Sequence, residues 1–144
     1  MKTDKEYKDF INDMFEKFKF IYNFSPKLKY TKNIDTDIVY KMGYKISTNT
    51  ILVDIKRLKK LKLSDSIIGK IKSKKEYVTK MLLHEYRHSI QNNLNLFPGI
   101  HKFPVYRLIS MSVKEYNNLP WEKDANKFAI DEWDSLWIFI VNRQ

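Results

Sequence analysis

The sequence of 144 residues contains no cysteine and few residues that break regular structure. Without cysteine the chain can form neither a disulfide framework nor a thiolate zinc cluster, so a metal ion would have to be held by His, Asp or Glu. Three Gly and four Pro are too few for a β-sandwich with many strands and turns. These absences favour a helix-rich domain.

Long apolar segments are also lacking. The longest apolar run, residues 136–141, is far shorter than the roughly 18 residues that cross a bilayer. The first residues carry acidic groups and lack the apolar stretch of a signal peptide. We therefore expect a cytoplasmic protein without a membrane partner.

The remaining composition is that of a folded chain, with 43% hydrophobic and 15% aromatic residues. At roughly 100 to 200 residues per domain, residues 1–144 are predicted to form a single domain with one core. We expect this domain to be a monomer.

The net charge of +10 first suggests an anionic partner such as nucleic acid. However, 23 of the 27 basic residues are Lys and only four are Arg, as an AT-rich coding sequence would produce. Proteins that read phosphates or bases favour the planar fork of Arg. Many of the lysines lie in residues 56–75, and such a run is usually a solvated face. The charge therefore supports nucleic-acid binding only weakly.

Hydrophobic spacing predicts the secondary structure of the first half. A stripe of apolar residues three and four apart indicates an amphipathic helix over residues 3–24. Residues 27–35 suggest a loop, and alternation at Ile38, Tyr40 and Met42 indicates a strand. A second strand is expected over 50–55. The two strands would form a hairpin or a short meander, with a turn near Gly43 or near residues 47–49.

The second half is predicted to be mainly helical. Ile67, Ile68 and Ile71 suggest a short helix, and the capping box formed by Ser73 and Glu76 begins another that extends to about Asn93. Residues 94–119 form a long excursion with one short helix near 110–116. Pro120 suits the first position of a last helix.

The most informative segment is residues 84–88, His-Glu-Tyr-Arg-His, an HExxH motif on a predicted helix. Histidines at positions i and i+4 lie about 40° apart around a helix, so both imidazoles can bind one zinc ion. The glutamate between them can act on a water molecule. His84 and His88 are thus candidate ligands and Glu85 is a candidate base.

A third ligand must come from elsewhere in the chain. The candidates downstream are His101, Glu115, Glu122, Asp124, Asp131 and Glu132. The extended metzincin motif requires glycine three residues and histidine six residues after the second histidine. This chain has Gln at 91 and Leu at 94, so that class of metallopeptidase is excluded. Glu122 stands out because it lies in the first turn of the last predicted helix. The only two alanines, Ala125 and Ala129, follow it and permit close helix packing.

Together these segments resemble the gluzincin metallopeptidases, which pair HExxH with a glutamate on a second helix, followed by Ala and then Asp or Asn. Glu122, Ala125 and Asn126 match that pattern. The form Glu-x-x-Ala-Asn-x-Phe-Ala looks most like the small ImmA/IrrE-type peptidases of phages and mobile elements. The resemblance covers about residues 76–140.

The resemblance implies a role for each matching residue. His84, His88 and Glu122 would bind one Zn²⁺, and Glu85 would be the general base. Asn126 would accept a hydrogen bond from a ligand imidazole; many relatives have Asp there. An oxyanion stabiliser is expected from Tyr116, Tyr106 or His101, among which the sequence does not choose. The strand at 50–55 would pair with an extended substrate.

We therefore expect an α+β protein of minimal zincin-like fold, with an N-terminal helix, a small β-sheet, the HExxH helix and a C-terminal glutamate helix. The expected activity is zinc-dependent hydrolysis of peptide bonds in a protein or peptide substrate. The alternative is a catalytically silent zincin that binds zinc and acts as a protein or nucleic-acid interaction module. A metal-free helical protein is the third hypothesis.

Overall fold

A computed structural model describes residues 1–32, 41–65, 68–102 and 111–141 of the chain. Within these residues the fold is α+β, as expected, with five α-helices and a three-stranded mixed sheet. In chain order the elements are α1 (Asp4–Tyr22), β1 (Lys27–Tyr30), β2 (Met42–Lys45), β3 (Thr50–Val53), α2 (Ile55–Lys59), α3 (Lys74–Leu94), α4 (Val113–Asn117) and α5 (Pro120–Val141). Single 3₁₀ turns occupy Ile46–Thr48, Leu63–Asp65 and Pro98–Lys102.

Helix α1 confirms the predicted N-terminal amphipathic helix. Thr3 and Glu6 form a reciprocal capping box at its start. It ends at Asn23, whose φ of 58° is left-handed. In a chain with little glycine, Asn also takes this conformation at positions 49 and 95. The buried face of α1 consists of Tyr7, Phe10, Ile11, Met14, Phe15 and Phe18.

The sheet has the order β1-β3-β2, with β3 parallel to β1 and antiparallel to β2. Strands β2 and β3 form the predicted hairpin, and its turn lies at the second of the two expected positions, residues 46–49. The strand signal at Ile38 and Tyr40 falls outside the described residues. Strand β3 stops at Val53, short of the predicted residue 55, because the Asp54 side chain accepts from the Arg57 N–H and begins α2.

The loop predicted over residues 27–35 is wrong for its first part, because residues 27–30 form β1. Leu28 and Tyr30 are half-buried while their lysine neighbours are exposed. Alternation of half-buried and exposed side chains is typical of an edge strand. The sequence prediction missed this strand because its lysines make the segment polar overall. Parallel pairing of β1 with β3 then supplies the backbone hydrogen bonds.

The short helix suggested by Ile67, Ile68 and Ile71 is also wrong, since residues 68–73 contain no helix and residue 67 lies outside the described part. The backbone of this segment is instead hydrogen-bonded to side chains of α3. Lys80 Nζ donates to the Ile68 carbonyl, and the Lys72 N–H donates to the Glu76 carboxylate. Gly69, at φ +76°, provides the left-handed turn.

The predicted helices around residues 73–93, 110–116 and from Pro120 onward correspond to α3, α4 and α5. Helix α3 is central, because α1, the sheet and α5 all pack against it. Its residues are therefore buried around most of its circumference. In the described part of the chain, no helix combines the length and the hydrophobicity needed to cross a membrane.

Candidate metal centre

The candidate site lies between α3 and α5. Ala125 and Ala129, one turn apart on α5, are fully buried, so the two helices can approach each other closely. Glu122, in the first turn of α5, thereby faces the histidines of α3. The three residues that the sequence proposed as ligands come from segments more than 30 positions apart and meet at one point.

The contacts among these three side chains are short. His84 Nε2 lies 2.9 Å from Glu122 Oε2, and His88 Nε2 lies 3.2 Å from Glu122 Oε1. The two Nε2 atoms are 3.1 Å apart. One ligand atom from each residue lies within 4.8 Å of the others, and all three residues are buried. Among the described residues this is the one group of three His or acidic side chains that could hold a metal ion.

The charges at the centre are strongly coupled. Burial by itself would lower the pKa of His88, but the Glu122 carboxylate outweighs it by charge and hydrogen bonding and raises that pKa to about 9. Burial would raise the pKa of Glu122, but His88 and His84 hold it well below its ordinary value. Imidazole nitrogens and carboxylate oxygens that converge in this way share a proton or bind a cation.

The donor set fits zinc. Two imidazoles and a carboxylate are the ligand types that zinc accepts in catalytic sites, where a fourth position is left for water or substrate. Nε2 of both histidines faces the carboxylate, so the lone pairs needed for coordination point to one place.

Glu85 lies at the edge of the cluster, with its Oε1 3.9 Å from His84 Nε2 and its side chain 13% exposed. Burial raises the pKa of this carboxyl, and the two histidines only partly offset the effect. A carboxylate whose pKa is raised toward neutrality is suited to accept a proton and return it.

Of the three residues proposed as oxyanion stabilisers, the structure brings Tyr116 to the site. Its hydroxyl donates to Glu122 Oε1 at 2.8 Å, from helix α4. Tyr106 lies outside the described residues, and so does the side chain of His101.

Asn126 lies one turn after Glu122 on α5. Its Oδ1 is buried and forms no hydrogen bond within the described residues, and the same holds for Nδ1 of His84. One atom is an acceptor and the other can carry a proton, so the two are chemically complementary. The predicted hydrogen bond between Asn126 and a ligand imidazole is not formed in this structure.

The group that does contact a ligand imidazole is Gln91, which sequence reasoning missed. His88 Nδ1 and Gln91 Oε1 are 2.8 Å apart. Gln91 lies three residues after His88, hence on the same side of α3, and this spacing is the signal that could have indicated it. Arg87, between the two histidines in sequence, pairs with Asp124 through both Nε and Nη2.

Strand β2 forms a further side of the site. The Tyr44 ring stacks on the His88 ring with centroids 6.3 Å apart and planes at 23°. Its hydroxyl bonds Asn49 and accepts from Asn92 of α3. These contacts join α3 to the hairpin beside His88.

Comparison with known proteins adds no further support, because no family model, curated protein or solved structure matches the chain. The assignment of a function therefore depends on the site itself.

Proposed function

We propose that the chain is a zinc-dependent metallopeptidase with a minimal zincin-like fold. The observation that carries the proposal is the buried meeting of His84, His88 and Glu122, with their ligand atoms within 4.8 Å of one another and Glu85 beside them. The arrangement of two ligands on one helix, a third on the next long helix and a sheet alongside agrees with the gluzincin resemblance of the sequence.

Zinc, when bound by these three residues, supplies a Lewis acid that acidifies water and polarises a carbonyl group. Glu85 supplies the proton transfer: its carboxylate accepts a proton from the attacking water and delivers it to the leaving amine. Such a positioned base contributes about 10²- to 10⁴-fold to rate. Its raised pKa, caused by burial, makes the carboxylate a stronger base toward the attacking water.

Tyr116 is the proposed donor to the oxyanion that develops on the substrate carbonyl. Its hydroxyl is already held at the site by Glu122, 2.8 Å away. Because this hydroxyl has one hydrogen, it would turn from Glu122 to the developing oxyanion when substrate is bound.

The proposed binding edge for an extended substrate is β2, not β3. Strand β3 is paired on both sides, with β1 and with β2, so its backbone groups are not available for substrate. Strand β2 is an edge of the described sheet, and its Tyr44 contacts His88. A peptide that adds to β2 would therefore lie next to the metal ligands.

The test combines metal content with cleavage of an unfolded protein substrate, analysed by mass spectrometry. We expect about one zinc per chain in the wild type and in Glu85→Gln, with cleavage lost in that variant by at least about 100-fold. His84→Ala should lose both. Glu16→Gln, an exposed glutamate of α1 paired with Lys19, is the matched control and should keep both.

The outcomes separate the hypotheses. Wild-type protein without stoichiometric zinc after refolding with zinc would refute the metal centre. Protein that binds zinc but shows no difference between wild type and Glu85→Gln would favour the silent zincin. In that case, affinity for mixed DNA and RNA that falls steeply with salt would identify a nucleic-acid module.

A further inference from the structure

The structure assigns Gln91 as the residue that orients the metal ligand His88 and links it to the helix carrying Glu122. This inference rests on the proposed function, because it concerns the same metal centre. Gln91 is 2% exposed, although a glutamine is rarely buried so completely without a reason. All of its side-chain hydrogen-bonding atoms are engaged.

The orientation of the Gln91 amide follows from its partners. Its nitrogen lies 2.9 Å from the Trp121 carbonyl oxygen and 2.8 Å from Asp124 Oδ2. Both partners are acceptors, so this end must be the NH₂ group. The other end is therefore the carbonyl oxygen, 2.8 Å from His88 Nδ1.

This orientation determines which nitrogen of His88 faces the metal centre. Because the Gln91 oxygen can only accept, Nδ1 must carry the hydrogen. In the neutral imidazole the lone pair is then on Nε2, the atom that points at Glu122. Gln91 thus selects the tautomer that can coordinate a metal ion.

Gln91 also connects the two ligand-bearing helices. Trp121 and Asp124 flank Glu122 on α5, while Gln91 and His88 belong to α3. Arg87 then closes the connection by pairing with Asp124 at 2.7 Å. The positions of His88 and Glu122 are therefore set by one network of hydrogen bonds, and a change at Gln91 should disturb both.

The experiment compares three variants by zinc affinity, measured by competition with a chelator, and by the absorption spectrum with Co²⁺. Gln91→Met keeps the length of the side chain and removes the acceptor. It should weaken zinc binding about 10- to 100-fold, the usual effect of losing a group that orients a ligand. Gln91→Glu, protonated where it faces the Asp124 carboxylate, keeps one oxygen as the acceptor for Nδ1 and one hydroxyl as a donor to Asp124, and should bind zinc more tightly than Gln91→Met.

Asn93→Leu is the matched control. It removes an amide from the same helix whose contact is with Ser89 and not with a ligand, so zinc affinity should stay within about twofold of wild type. Equal zinc affinity and equal Co²⁺ spectra of wild type and Gln91→Met would overturn the inference and leave the metal centre standing.

A second measurement does not depend on the folding of a variant. Long-range ¹H–¹⁵N spectra of zinc-loaded wild type should show His88 protonated at Nδ1, and protonation at Nε2 would overturn the inference. If wild type binds no zinc at all, the proposed function falls first, and this inference with it.

Discussion

The hydroxyl of Tyr86 offers a way to weaken the fold without touching the metal centre. Tyr86 lies between His84 and His88 in sequence, but two residues along a helix correspond to about 200°, so it faces away from them. It is fully buried, its ring meets Phe15 and Phe18 edge-on at 6.0 and 5.8 Å, and its hydroxyl donates to the Phe24 carbonyl. It therefore anchors α3 to the end of α1.

Tyr86→Phe removes that hydrogen bond and leaves the Phe24 carbonyl without its partner. The expected loss is about 1 to 2 kcal/mol in the free energy of unfolding. For a chain of this length the corresponding decrease in Tm is about 2 to 8 °C. Tyr86→Ala also creates a cavity and should cost about 3 to 5 kcal/mol.

The assay is urea denaturation of the metal-free protein, followed by circular dichroism, with zinc affinity measured separately. Tyr22→Phe is the comparison variant, since the Tyr22 hydroxyl in the same aromatic cluster is buried near Glu132 without a well-formed hydrogen bond. Its removal should cost less than removal of the Tyr86 hydroxyl, which has a backbone acceptor. If Tyr86→Phe were no more destabilising than Tyr22→Phe, or if it weakened zinc binding, the anchoring argument would be wrong.

Two further predictions concern charged groups. In the metal-free protein His88 has a pKa of about 9, above its ordinary value of about 6.5, so zinc must displace a proton. Zinc affinity should therefore rise roughly tenfold per pH unit between about pH 7 and 8.5, and a flat competition titration would contradict this. The same shift stabilises the metal-free fold fully below about pH 6.5 and is lost as pH rises through about 9, which denaturation at several pH values would detect. The second prediction concerns the buried pair of Lys80 and Glu76, 3.2 Å apart. Lys80→Met should cost about 3 to 5 kcal/mol, because the Glu76 carboxylate is left buried without its cation. Lys80→Met/Glu76→Gln removes the buried charge, keeps an acceptor for the Lys72 N–H, and should cost clearly less in the same denaturation assay.

The sequence predicted the start of a helix correctly where residues within one helical turn determine it. The Ser73–Glu76 capping box marks the start of α3, and Pro120 begins α5. Each of these signals involves residues within one helical turn, so no tertiary information is required. The short-range rules failed at β1 and at residues 68–73, where contacts with β3 and α3 determine the backbone.

The candidate site was likewise predictable from local sequence signals but not where it depends on contacts between distant segments. An HExxH spacing places His84 and His88 on one face of any helix, and the Glu-x-x-Ala-Asn pattern singled out Glu122 by resemblance. The sequence could not indicate that Gln91, and not Asn126, contacts a ligand imidazole, since this depends on how α3 lies against α5. Nor could it indicate that Tyr116 contacts Glu122, because this contact depends on where α4 packs.

By itself, then, the sequence determined the ligand types, because a chain without cysteine leaves His and acidic groups, and it determined the helices whose capping and spacing are local. Only the tertiary structure decided which strand is an edge, which helices meet and which polar atoms are paired. The physical reason is that hydrogen bonds between distant segments form only after the helices have packed, and the buried polar groups of α3 must then find partners on α5 and β2.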